Sequence, residues 1–208
     1  MVKQTIKNII FDLGGVILDL DVDQTLKAFS ELSGLDLEQV RKIFTTAPGF
    51  VLYEKGLITD DQFRDFIRQV YYASATDTQI DKCWNAMLGG LPLAKVDLLK
   101  KLMKSHRVVL LSNTNTIHLN YINDIILPNT VGERSLDPFF HKTYYSHHMG
   151  MRKPDAEIFE YVLKENNFSA EQTLFLDDNK LNVEGANALG IEIVHVTHPD
   201  LILSYFHE

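Results

Sequence analysis

Three unbroken apolar runs, each halted by a polar residue, constrain this chain more than any other feature. Ile9-Ile10-Phe11 stops at Asp12 ahead of a Gly14-Gly15 pair, Val108 to Leu111 stops at Ser112, and Leu174-Phe175-Leu176 stops at Asp177-Asp178. A short continuous run bounded by turn residues reads as a strand covered on both faces, as in a parallel sheet. A weaker run lies between Ile191 and Val196, and Lys142 to Ser146 is a further short candidate. Helical patterns fall between them. Leu98, Leu99, Leu102 and Met103 share a face before the Ser112 run, and Ile158, Phe159, Val162 and Leu163 do so before the Asp177 run. Pro154 suits a first helical turn, and Gly190 the C-terminal cap of the helix after Asp178. This alternation predicts an α/β fold with a doubly wound parallel sheet.

The stretch from Val22 to Gly90 has no such run. Thr59 to Gln62 and Thr76 to Gln79 are capping-box patterns, and Phe63, Phe66, Ile67 and Val70 fall on one helical face. A helical block this long is unusual as a plain crossover. It reads as an all-α subdomain at 22–90, inserted into an α/β core made of 1–21 and 91–208. The alternative is a helical layer packed on the sheet.

Open α/β sheets bind ligands at the carboxyl ends of their strands. Those ends carry Asp12, Ser112-Asn113 and Asp177-Asp178. Alone, Asp12 serves equally well as the start of a turn, and one acid of the Asp177-Asp178 pair as a helix cap. Together they place three carboxylates in one cleft, where like charges repel unless a cation joins them. A few oxygen ligands suit Mg²⁺, which also binds substrate phosphate. Ser112 and the backbone N–H groups after it can hold phosphoryl oxygens, and Lys153 offers a point positive charge. Phe50, Tyr53, Phe63 and Trp84 read as the core of the helical block, and His147-His148 as polar surface beside the sheet.

The net charge of −8 and the lack of a Lys/Arg stripe make nucleic acid and anionic membrane poor partners. No run approaches the roughly 20 apolar residues of a membrane span, and Asp12 interrupts the first run too early for a signal peptide. The lone Cys83 fits a reducing cytoplasm. Monomer and homodimer stay open.

In their order and strand-end placement, FDLGGV at Asp12, LLSNT at Ser112, MRKPD at Lys153 and FLDDN at Asp177-Asp178 resemble the four motifs of the haloacid dehalogenase superfamily. The resemblance covers the whole chain and is nearest to small bacterial sugar-phosphate phosphatases, α-D-glucose-1-phosphate phosphatases among them. It implies a Rossmann-like core, a helical cap at 22–90, and Mg²⁺-dependent hydrolysis of a small phosphate ester through an aspartyl-phosphate. In these terms Asp12 is the nucleophile, and Ser112, Asn113 and Lys153 hold the phosphoryl group. Asp12, the Gly14 carbonyl, Asp177 and Asp178 serve the metal.

One position departs from the superfamily pattern. Most such phosphatases carry a second Asp where this chain has Gly14, and that Asp protonates the leaving oxygen. Without it, esters with better leaving groups, such as sugar 1-phosphates, are favoured, unless Asp19, Asp21 or a cap residue substitutes. The alternatives are a dehalogenase acting on carbon and a non-catalytic binding protein.

Overall fold

The computed structural model describes residues 5–207. Residues 1–4, the opening of the expected core segment and of the basic start weighed against a signal peptide, lie outside the described residues. Five parallel strands form one sheet: β1 (Asn8–Phe11), β2 (Arg107–Ser112), β3 (Lys142–Tyr145), β4 (Thr173–Asp177) and β5 (Glu192–His195), in the order β3-β2-β1-β4-β5. The three unbroken runs are the three central strands. Their side chains alternate between two cores. Ile9, Phe11, Val108, Leu110, Leu174 and Leu176 face one, whereas Ile10, Val109, Leu111 and Phe175 face the other. The Ile191–Val196 run is weaker because β5 is an edge strand whose residues are all half-buried.

Between β1 and β2 stand six helices: α1 (Val22–Ser33), α2 (Leu37–Thr46), α3 (Gly49–Glu54), α4 (Asp60–Val70), α5 (Asp77–Asn85) and α6 (Leu93–Leu102). The first five share an aromatic core of Phe29, Phe50, Tyr53, Phe63, Tyr71 and Trp84. Both capping boxes form, Thr59 with Gln62 and Thr76 with Gln79. The chain leaves the sheet and returns through two segments that pair antiparallel. Asp19 N–H donates to Gly90 O (2.9 Å), Gly89 N–H to Asp19 O (2.8 Å) and Asp21 N–H to Met87 O (2.9 Å).

After β2 come α7 (Thr116–Tyr121), a π-helical turn (Ile122–Ile126) and α8 (Leu127–Thr130). After β3 come α9 (Ser146–Met149) and α10 (Ala156–Asn166). The helix α11 (Lys180–Asn187) follows β4, and α12 (Leu201–Tyr205) follows β5. Two expectations shift slightly. Pro154 sits before α10 rather than in its first turn, joined to Lys153 by a cis peptide, and Asp155 occupies the N-cap position. The cap position of α11 is Ala188; Gly190 lies beyond it at φ +80°, where its N–H bonds Asn187 O at 2.9 Å. The loop ahead of α10 lies tightly on α11, since a Cβ at Gly185 would come within 2.7 Å of Pro154 O.

Candidate active site

Strand register brings the site together. Phe11 lies level with Leu110 on one side and Leu176 on the other, so Asp12 emerges beside the ends of β2 and β4. Each of Asp12, Asp177 and Asp178 places a carboxylate oxygen so that all three lie within 4.8 Å of one another. Lys153 reaches into the same space almost wholly buried. Its Nζ donates to Asp12 Oδ1 (2.6 Å), Asp177 Oδ2 (2.6 Å) and Leu111 O (2.8 Å), which uses all three ammonium donors.

One ammonium faces three carboxyl groups, and the electrostatics show the imbalance. Burial pushes the Asp12 carboxyl well above its usual range. Lys153 opposes this, while Asp177 and Asp178 add to it. Burial and then Asp177 raise Asp178 as well. Burial alone would lower Lys153, but Asp12 and Asp177 outweigh it and hold the ammonium charged. A divalent cation would balance such a cluster, and its all-oxygen donors match Mg²⁺ chemistry. Gly15 lets the first loop meet the second acid. It has φ +73°, and a Cβ there would lie 2.4 Å from Asp178 Oδ2. Gly15→Ala is therefore expected to displace Asp178 and raise the apparent Kd for Mg²⁺ at least about tenfold by calorimetric titration.

The remaining residues named from sequence divide by what their side chains do. Ser112 is buried and borders a cavity of about 440 Å³ along with Asp12, Gly14, Lys153 and Asp178. The Asn113 side chain is committed elsewhere. Its Nδ2 donates to Lys153 O and its Oδ1 accepts from Lys153 N–H, both at 2.9 Å, so it fixes the lysine's backbone. Asp177 is fully engaged too. Oδ1 accepts from Asn179 N–H (2.8 Å) and Asn182 Nδ2 (3.1 Å), and Oδ2 from Lys153 and Asn182 Nδ2 (3.0 Å). Asp19 and Asp21 do not border the cavity. Asp19 pairs with Lys95 at 3.3 Å, and Asp21 caps α1. His147 and His148 line a separate cavity beside Tyr53.

Other groups at the cavity escaped the sequence reading. Asn182 lies one turn into α11 from the acid pair, a spacing that could have suggested it. Arg152 stands next to Lys153, and Glu54, on α3, accepts from Arg152 Nε at 3.0 Å. Glu54 carries no local signal, because only tertiary packing brings α3 to the cavity.

His118 also borders the cavity and stacks on Trp84 with ring centroids 4.6 Å apart. Its Nε2 donates to Trp84 O at 3.0 Å, which leaves Nδ1 to accept from Asn115 Nδ2 at 3.2 Å. Burial pulls this imidazole down to about 4 from 6.5. The unfolded chain therefore binds the proton first as pH falls. This contribution to stability is full above pH 6.5 and is lost toward pH 4, amounting to about 3 kcal/mol at most. Burial holds His147 down to about 4 as well, so the two histidines add with the same sign. Urea unfolding of His118→Gln should show a smaller stability loss between pH 7 and pH 4.5 than the parent protein.

The model of the haloacid dehalogenase-like hydrolase family matches residues 6–190. The chain belongs to this family. A D-ribitol-5-phosphate phosphatase of Bacteroides thetaiotaomicron is 32% identical to this haloacid dehalogenase-like hydrolase over 188 residues, 90% of each chain. A HAD family enzyme of the same organism, solved in complex with magnesium and inorganic phosphate, superposes with a TM-score of 0.81. It has 37% identity, and 91% of this chain and 93% of that one are covered. A predicted HAD-like family hydrolase from Porphyromonas gingivalis superposes with a TM-score of 0.82 at 29% identity, covering 98% of this chain and 99% of its own. Among the described residues of this hydrolase, no helix is long and apolar enough to cross a membrane.

Proposed function

We propose that this protein hydrolyses the phosphate monoester of a small sugar or sugar alcohol, with Mg²⁺ as cofactor and Asp12 as nucleophile. The observation that carries this reading is the meeting of Asp12, Asp177 and Asp178 around the single ammonium of Lys153. A carboxylate fixed by a buried lysine at a strand end can attack phosphorus and form an aspartyl-phosphate, which water then hydrolyses. Lys153 orients Asp12 and offsets charge on the phosphoryl group. Ser112 Oγ and the Asn113 backbone N–H hold phosphoryl oxygens, since the Thr114 N–H is already donated to Ser146 Oγ at 2.9 Å.

Asp12, Asp178 and the Gly14 carbonyl would hold the metal directly, and Asp177 through water because its own oxygens are engaged. Mg²⁺, when bound, neutralises charge on the carboxylates and the phosphoryl oxygens. Residues 22–90 act as a cap on a core of 1–21 and 91–208, and their side chains Phe44, Trp84, Met87 and Leu88 wall the cavity that the leaving group enters. All these groups come from one chain, so a monomer or each subunit of a homodimer suffices. The acidic surface and single cysteine suit the cytoplasm.

The phosphatase and the magnesium–phosphate complex among the relatives support the reading. A dehalogenase needs no cation and has no use for the acid pair. A binding protein has no use for a lysine-fixed nucleophile. The test is a panel of phosphorylated metabolites assayed with Mg²⁺ and with EDTA. Turnover should appear with Mg²⁺ and be lost in EDTA; turnover indifferent to EDTA, or none on any ester, contradicts the reading.

Where no other acid serves the leaving oxygen, Gly14 favours a narrower substrate class, sugar 1-phosphates, whose leaving oxygen needs less protonation. Its backbone is not left-handed, and a Cβ there would meet only the flexible end of Leu20, at 3.1 Å. Gly14→Asp is therefore expected to fold. If no other acid serves the leaving group, it should raise kcat/KM for alkyl phosphates more than for 1-phosphates. A wild-type preference for 6-phosphates over 1-phosphates would end the narrower reading.

A further inference from the structure

We propose that Glu54 is the general acid for the leaving oxygen, supplied by the helical block in place of the acid that position 14 lacks. This rests on the phosphatase reading and extends it. Three carboxyl groups border the cavity among the described residues: Asp12, Asp178 and Glu54. Asp12 is the nucleophile and Asp178 serves the metal, which leaves Glu54 for proton transfer. The nearer candidates in sequence are spent: Asp19 binds Lys95 and Asp21 caps α1. His118 Nε2 already donates to Trp84 O.

Glu54 is placed for the task. It closes α3 and borders the same cavity as Asp12, Lys153 and Asp178, together with the side chains Phe44, Trp84, Met87 and Leu88 that wall the space for the leaving group. Arg152 fixes it through two contacts, at 3.0 Å and 2.8 Å, both made to Oε2 and neither to Oε1. The next residue, Lys153, holds Asp12, so acid and nucleophile are set by adjacent residues of one loop. Burial raises the Glu54 carboxyl above its usual range, with Arg152 and Lys153 opposing.

The two half-reactions balance. As the Asp12 oxygen bonds phosphorus and the ester P–O bond breaks, the Glu54 proton passes to the departing alkoxide and yields the alcohol. The Glu54 carboxylate then takes a proton from water as its oxygen bonds phosphorus, breaking the Asp12–phosphorus linkage, releasing phosphate and restoring the acid.

The test compares Glu54→Gln on two esters in the presence of Mg²⁺: a sugar-alcohol phosphate, whose alkoxide needs the proton, and 4-nitrophenyl phosphate, whose phenolate does not. For the alkyl ester kcat/KM should fall about 10²–10³-fold. For the nitrophenyl ester it should fall at least about tenfold less, and a burst of nitrophenolate near one equivalent should precede slow turnover as the phosphoenzyme waits for its base. Lys55→Met breaks the neighbouring pair with Asp155, 2.8 Å apart, and should leave the ratio of the two esters as in the parent. If Glu54→Gln does not fold, Glu54→Asp serves, with its deficit again concentrated on the alkyl ester. Parallel losses on both esters without a burst, or full activity on the alkyl ester, overturn the proposal. Wild-type protein inactive on both esters would instead overturn the phosphatase reading.

Discussion

Asp12→Asn should abolish turnover while raising the stability of the metal-free protein. The amide nearly preserves the shape but offers no nucleophilic oxygen and is a poorer ligand for Mg²⁺. Loss of a covalent nucleophile is expected to cost at least about 10⁴-fold in kcat. Stability moves the other way because Asp12 is a carboxyl under duress, raised first by burial and further by Asp177 and Asp178. A carboxyl whose folded pKa lies above its unfolded value binds its proton more tightly when folded. It therefore costs stability as pH rises through the folded value of about 7. Replacing it removes that cost. Without Mg²⁺, the Tm of Asp12→Asn at pH 8 should exceed that of the parent, and the gap should close toward pH 5. A variant both inactive and less stable at pH 8 would show that Asp12 holds the fold rather than carrying the chemistry.

Lys153→Met should have the opposite effect on stability. It strands Asp12 and Asp177, each bonded at 2.6 Å, in a buried site without their shared cation. Breaking a buried pair by removing one partner costs about 3–5 kcal/mol. Two conditions should reduce that loss. Lowering pH from 8 to 5 lets the stranded carboxyls take up protons, and Mg²⁺ replaces part of the missing charge. Activity should not return with stability, because the ammonium also orients Asp12 and offsets charge on the transferring group; about 10²–10³-fold in kcat is expected to be lost. Urea unfolding at both pH values, with and without Mg²⁺, checks the first part, and steady-state kinetics the second.

Asp12, Ser112 and Asp177 were legible because a buried parallel strand must be apolar until it ends. Where the apolar run stops, the chain reaches the sheet's rim. Register then sets adjacent ends side by side, so three polar residues far apart in sequence become neighbours. The helices of 22–90 were legible through capping boxes, which are local devices.

What stayed hidden depends on side-chain partners. That Asn113 spends its amide on the Lys153 backbone, or that Asp177 is saturated by Asn179, Asn182 and Lys153, follows from packing between segments no local pattern relates. Alternation did separate Leu18, Leu20 and Val22, which border the cavity, from Asp19 and Asp21, which do not. Read as a period-two pattern, those residues could have withdrawn both acids in advance. Glu54 had no such signal, since α3 reaches the cavity only through the aromatic core beneath it.

The claim that Asp12 becomes phosphorylated is tested most directly by trapping the enzyme during turnover. Protein mixed with Mg²⁺ and substrate is quenched and reduced with borohydride, which converts an aspartyl-phosphate to homoserine, and residue 12 is read by peptide mass spectrometry. Homoserine at position 12, present with Mg²⁺ and substrate and absent when either is omitted, is the expected result. Sustained turnover with Asp12 unmodified, or with the phosphoryl group on another residue, would contradict it.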